Sequence, residues 1–288
     1  MRRERTSTTY NSYFESRDME ASYSPPVAQL LELGEEPARQ SPWHDYLALG
    51  LTREHVPELI RLLTDPDVQE YDEESARGFW PPIHAWRALG QLQAEEALEP
   101  LATLLQEPED EEDDWRLTDI PRVLGMIGPA AIPVAQRIVA REELDVYTRY
   151  AAMAVLSEVA TRWPEARDQS VEILTGYLHD WENRDPEFNA FVISHLMHIG
   201  ATEAAPLITD AFEAGAVDLS LVGDWEDVQV EMGLLAERTT PRADNFPYKM
   251  RSSSAPPPEA APRHARSTQK AKNRRKDARA SRKRNRRK

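Results

Sequence analysis

Along residues 55–212 apolar side chains return every three to four positions, in segments about ten residues long divided by polar or glycine-bearing turns. That period marks helices buried on one face. In ALEPLATLLQ (97–106) the apolar positions Ala97, Leu98, Leu101, Leu104 and Leu105 fall at i, i+1, i+4, i+7 and i+8. The same stripe runs through HVPELIRLL (55–63), AIPVAQRIV (131–139), QSVEILTGYL (169–178) and AAPLITDAF (204–212). Pro57, Pro100, Pro133 and Pro206 stand in the first turn of four of them, where a missing N–H costs nothing because the first helical N–H groups are unpaired anyway. The remaining segment opens on Gln169-Ser170.

The last four of these second helices each follow a first helix that ends in a small-residue turn, at 82–92, 119–128, 148–160 and 188–200. Asp185-Pro186 is suited to cap the last of them and to fill its first position. A shorter helix, 27–33, is opened by Ser24-Pro25-Pro26 and closed at Gly34. No segment alternates strictly between hairpin turns, so no sheet is expected. The pattern predicts an all-α fold, an α-solenoid of about five helical hairpins stacked on a shared core.

Two acidic insertions, 64–79 and 108–114 (PEDEEDD), lengthen the links between units. Residues 1–24 are polar and aperiodic and are read as disordered. The solenoid takes 25–242 and ends in a capping helix carrying Val228, Val230, Met232 and Leu235, with Asp224 as its N-cap. Residues 243–262 form a Pro/Ser/Ala-rich linker, and 263–288 a basic tail that cannot fold alone.

Some of these residues resemble a known repeat. Trp86-Arg87-Ala88-Leu89-Gly90, Glu96-Ala97-Leu98-Glu99-Pro100-Leu101 and Ile127-Gly128 before Ile132-Pro133 look like HEAT repeats of the phycobilisome-lyase-like subclass. With Trp80-Pro81-Pro82-Ile83-His84 and Gly223-Asp224-Trp225-Glu226-Asp227-Val228, the chain resembles a bacterial family of HEAT-like proteins. The resemblance covers roughly 26–240; it implies the repeat fold and almost nothing of mechanism. Its subclass leaves open a bilin-lyase-like accessory protein acting on a client.

Charge sharpens this picture. Of the 35 Lys and Arg and 50 Asp and Glu, residues 241–288 hold 17 cations and 3 acids, so that segment carries +14 and the preceding 240 residues carry −29. Every lysine lies at or beyond Lys249. The tail cations Lys270, Lys272, Arg274, Arg275, Lys276, Arg279, Arg282, Lys283, Arg284, Arg286, Arg287 and Lys288 suit phosphate contacts without base reading. No aromatic residue stands among them to stack on bases. RNA or ribonucleoprotein is therefore the expected partner of the tail, with an acidic protein surface, including the protein's own body, as the alternative.

A body of opposite sign repels phosphate and suits a protein instead. Its second helices offer Glu58, Arg61, Gln106, Gln136, Arg137, Glu172 and Asp210, and its end offers Asp224, Trp225 and Asp227. The same residues also fit an ordinary solvated face and a helix cap.

The absence of cysteine removes disulfides, thiolate metal sites and thiol nucleophiles. No phosphate-loop, dinucleotide or nucleophile signature is present. His195 falls on the apolar line of its helix, His198 off it, and His84 sits among tryptophans, so all three read as packing or surface residues rather than ligands or catalysts. The acidic runs lack the spaced ligands and glycine of a calcium loop. No cofactor or metal is expected, no segment is apolar enough to span a bilayer, and a monomeric, cytoplasmic, non-enzymatic interaction protein is the resulting expectation.

Overall fold

The computed structural model describes residues 22–34, 42–65, 68, 80–107 and 115–241. These form an all-α solenoid, with no strand among the described residues. In chain order the helices are α1 (Pro25–Glu32), α2 (Val56–Thr64), α3 (Trp80–Gln91), α4 (Leu98–Leu105), α5 (Trp115–Ile127), α6 (Ile132–Val139), α7 (Val146–Arg162), α8 (Arg167–Leu178), α9 (Pro186–Ile199), α10 (Ala205–Glu213), α11 (Leu219–Val222) and α12 (Trp225–Glu231). One layer is built by α1, α3, α5, α7, α9 and α11, each packed on the next. The second helices α2, α4, α6, α8 and α10 lie against it, and one continuous core runs from Val27 to Met232.

The second helices fall within two residues of the stripes that predict them. A device not anticipated introduces all five: a single 3-10 turn, at Arg53–His55, Glu95–Ala97, Pro129–Ala131, Pro164–Ala166 and Thr202–Ala204. Its last residue is a buried alanine in four units, Ala97, Ala131, Ala166 and Ala204. Each of these donates its N–H to the carbonyl three residues back, at 2.8–3.0 Å, satisfying a group that a helix start otherwise leaves open. The unit without a first-turn proline carries Pro164 in this turn instead.

Neighbouring units are tied by arginines. Arg53 donates to the carbonyls of Leu92 and Gln93, both at 3.1 Å, and pairs with Glu96 at 3.1 Å. Arg167 repeats the arrangement further along, reaching the Gly200 carbonyl and pairing with Glu203 at 2.7 Å. Such exposed pairs contribute at most about 1 kcal/mol each, but together with the carbonyl contacts they fix how one unit sits on the next.

Three local expectations are corrected. Helix α5 begins at Trp115 and not at Asp119, which places Pro121 inside it. An interior proline costs roughly 3 kcal/mol; the added turn is held by Trp115, whose ring meets that of Trp80 edge-on at 5.4 Å. Helix α1 leaves through Leu33 in an extended conformation, with no left-handed glycine at its end. Asp185 occupies the N-cap of α9 without a side-chain capping bond. The two acidic insertions lie largely outside the described residues, as do 1–21 and 242–288.

Helices α5 and α7 approach closely at Gly125. A Cβ on Gly125 would fall directly on that of Glu158 and 3.2 Å from its carbonyl carbon. The Gly125 carbonyl accepts a bond from Trp163 Nε1 at 2.9 Å. Gly128, at φ 116°, lets the chain turn beneath the same indole.

Candidate partner-binding groove

Helices α6 and α8 are consecutive second helices. Between them an open groove of about 440 Å³ is lined by Gln136, Glu172, Ile173, Gly176, Tyr177 and Arg184. Helix α8 supplies four of these because its sequence puts Glu172 and Gly176 on one stripe and Ile173 and Tyr177 on the adjacent one, each pair four residues apart. The Tyr177 hydroxyl donates to the Gln136 carbonyl at 3.2 Å and closes the groove floor.

At one end Arg184 lies against the rings of Tyr177 and Phe188, its guanidinium carbon 5.8 and 5.0 Å from their centres. Glu142 and Asp180 balance it, each at 3.5 Å. Arg149 covers Phe188 from another side at 4.3 Å and donates to the Val139 carbonyl at 2.9 Å. Burial, with Arg184 adding repulsion, holds the Arg149 pKa below the usual arginine value. Burial raises the Tyr177 hydroxyl, which stays protonated as the donor to Gln136.

Of the face residues expected to meet a partner, only Gln136 and Glu172 are brought into this groove. Glu58 accepts from the Ser24 backbone and hydroxyl, and Arg61 stacks on Tyr23 at 4.1 Å, so both hold the entry to α1. Gln106 accepts from Arg141, and Arg137 pairs with Glu99 at 2.6 Å. Asp210 is exposed on α10. At the solenoid end Asp224 caps α12 in a reciprocal box with Asp227, which is buried, and Trp225 packs on Phe212 with ring centres 5.7 Å apart. The tail cations from Lys270 to Lys288 lie outside the described residues. Ile173, Gly176, Tyr177 and Arg184 were not singled out from sequence. The available signal was a glycine inside an otherwise regular helical stripe.

The histidines are structural. His84 is buried with both ring nitrogens engaged: Nε2 donates to the Gly34 carbonyl at 3.0 Å, and Nδ1 accepts from the Tyr46 hydroxyl at 2.8 Å. Burial lowers it to about 4, so it is neutral. His195 is likewise enclosed, with Nδ1 sharing a hydrogen bond with Ser157 Oγ at 3.0 Å and its ring 4.6 Å from that of Tyr150. His198, one turn on, is exposed. Among the described residues no three His, Asp or Glu side chains are grouped to hold a metal ion, and no helix is long and apolar enough to cross a membrane.

The chain belongs to the DUF1186 family. The family model, described as a protein of unknown function (DUF1186), matches residues 48–245. No curated protein and no solved structure matches the chain. The family match takes in the groove, its flanking arginines and the α12 cap; α1 and the basic tail fall outside it.

Proposed function

We propose that this DUF1186 chain is a non-enzymatic interaction protein whose solenoid holds a protein partner on the second-helix face while its basic tail tethers the assembly to RNA or ribonucleoprotein. The observation that carries the first half is the α6–α8 groove, an open, mixed polar and apolar surface on a body that is otherwise strongly acidic. The second half rests on the segregation of charge, +14 in 241–288 against −29 before it. The recurring hairpins with their 3-10 turns support reading the units as HEAT repeats of the phycobilisome-lyase-like subclass. A monomer in a bacterial cytoplasm fits the same reading.

The test compares RNA binding by the full chain and by a chain ending at Arg242 over a salt series. Each phosphate neutralised on a single strand gives a slope of about −0.7 in log affinity against log salt, so partial engagement of the tail corresponds to roughly −4 to −7. Affinity should vary little between unrelated sequences, because the tail's dense cations suit phosphates and it has no aromatic residue to stack on bases. Equal affinity in the two chains removes the tail from the proposal.

A further inference from the structure

Gly176 lies in the interior of α8, where glycine is one of the least favourable residues. Other helix-interior glycines are tightly packed, as at the close approach of Gly125 to Glu158 and of Gly90 to Val123. At Gly176 the backbone φ is not positive, and a Cβ would meet nothing within 4 Å. Neither packing nor backbone geometry within the chain calls for a glycine there. What the missing side chain does is keep the floor of the groove bare between Ile173 and Tyr177.

The exposed charges on this face of α8 and on the next second helix are acidic. Asp168, Glu172 and Gly176 follow one another at four-residue spacing and form a single stripe down α8. Asp168 is 98% exposed and its nearest cation, Arg167 at 3.7 Å, is already engaged by Glu203 at 2.7 Å. Glu172 is exposed within the groove, and Asp210 is exposed on the next second helix. Of the cations alongside, Arg184 is paired with Glu142 and Asp180 and Arg137 with Glu99, while Arg149 lies over Phe188 and donates to the Val139 carbonyl. A volume of about 440 Å³ sits in the lower part of the range for ligand pockets, roughly 300–1,000 Å³.

From this we infer that the groove over Gly176 receives one large apolar side chain from a cationic segment of a partner protein. The apolar group lies on the bare helix between Ile173 and Tyr177, and the flanking cations face Glu172 and Asp168. The inference rests on the solenoid being a protein-binding surface and names the chemistry of what it binds. The chain's own residues 263–288 are cationic but contain no large apolar residue and supply only half of this complementarity, whereas 242–251 combines Phe246, Tyr248 and Met250 with three cations and is the competing occupant.

The probe is a capped nonapeptide, Lys-Ser-Lys-Ser-Phe-Ser-Lys-Ser-Lys, titrated into isotope-labelled full chain with amide shifts followed. Expected are shifts centred on Gly176 and Ile173, and a loss of affinity of about tenfold to a hundredfold when the peptide Phe is replaced by Ser. Gly176→Leu, which fills the groove with a good helix former, should weaken binding at least about tenfold while leaving the melting temperature unchanged or higher. Loss of binding in that variant is then not loss of fold. Glu172→Lys should weaken binding to a peptide with flanking lysines and favour one with glutamates.

Equal binding of the Phe and Ser peptides, or tighter binding of a glutamate-flanked peptide to the unaltered chain, overturns the inference. Shifts confined to other second helices overturn it too, while leaving the solenoid as a binding surface; no shifts on the solenoid at all remove both. Tenfold stronger probe binding on combined Phe246→Ser, Tyr248→Ser and Met250→Ser replacement identifies an occupant within the chain itself and overturns the assignment to a partner.

Discussion

Arg87 on α3 and Asp119 on α5 form an ion pair at 2.6 Å with both side chains almost wholly buried, and a second contact, from Arg87 Nε, at 2.7 Å. The guanidinium is enclosed by Trp43 and Trp115, whose ring centres lie 4.8 and 5.4 Å from its central carbon. Taking both charges out of water is costly, so the pair as a whole need not stabilise the fold relative to an apolar replacement. Removing one partner is a different matter, because it strands the other charge in the core.

Asp119→Asn is accordingly expected to destabilise the chain by about 3–5 kcal/mol, whereas replacing both residues, Arg87→Met with Asp119→Leu, should recover most of that loss. Urea unfolding of the two variants beside the parent decides it. A single variant that costs under about 1 kcal/mol would mean that the guanidinium reaches water after all.

The α5–α7 approach allows a comparison between two glycines in one fold. A methyl at Gly125 meets Glu158 and its backbone, both part of a packed helix with no room to give. Gly125→Ala is expected to cost about 1–3 kcal/mol by overpacking. Gly176→Ala adds a methyl in open space to a helix interior and should stabilise by up to about 1 kcal/mol. Thermal unfolding of the pair reads the difference in sign directly.

Much of the architecture was legible from sequence because the information is local. The stripe in 97–106 and the first-turn prolines are set by neighbours within two turns, and Leu101 is fully buried as its position requires. Asp224 was legible as an N-cap for the same reason. Arg87 was not legible as a core residue, since burial of a guanidinium depends on an acid 32 positions away. The start of α5 was misplaced because Pro121 marks a helix boundary by local rules, while the Trp80–Trp115 contact is tertiary. The groove was half legible: Gln136 and Glu172 declared themselves as polar face residues, but Gly176 and Arg184 acquire meaning only once α6 and α8 are side by side.

Acid should destabilise the fold well before its carboxylates titrate. Burial holds His84 near 4 and His195 near 3, whereas an unfolded histidine titrates at about 6.5. Between those values the unfolded chain binds more protons than the folded one. Stability is therefore full above about pH 6.5 and falls as pH drops, by up to about 1.4 kcal/mol per unit for each histidine. Protonated His195 would also carry a donor at Nε2, which has no hydrogen-bond partner in the core. Urea midpoints taken from pH 7 to pH 5 should decline, and His195→Gln should flatten the slope. A flat profile in the parent chain would show that neither ring is held neutral by the fold.

The last turn of the solenoid depends on a residue beyond its last helix. Asp224, Glu226 and Asp227 crowd the start of α12, and Asp227 is buried. The positive end of a helix offsets part of their repulsion. Arg238 supplies the rest, reaching Asp224 and Asp227 at 2.6 Å each and Glu226 at 3.5 Å. The charge-assisted bonds to Asp224 and Asp227 hold its pKa above the usual arginine value. Glu226 is further occupied by Thr239 and Thr240, whose hydrogen bonds hold it near 2. The structural boundary is thus set after these residues and not at the end of α12. A chain ending at Arg242 keeps Arg238, Thr239 and Thr240 and should melt close to the full chain. One ending at Ala236 loses the arginine's charge-assisted bonds to Asp224 and Asp227; at about 1.5–3 kcal/mol for hydrogen bonds to charged groups and roughly 2–4 °C per kcal/mol for a body of this size, its melting temperature should fall by several degrees. Arg238→Gln in the full chain should reproduce most of that fall. If the shorter chain melts with the longer one, the acids are satisfied by the helix start alone, and Arg238 is a surface residue with no part in closing the solenoid.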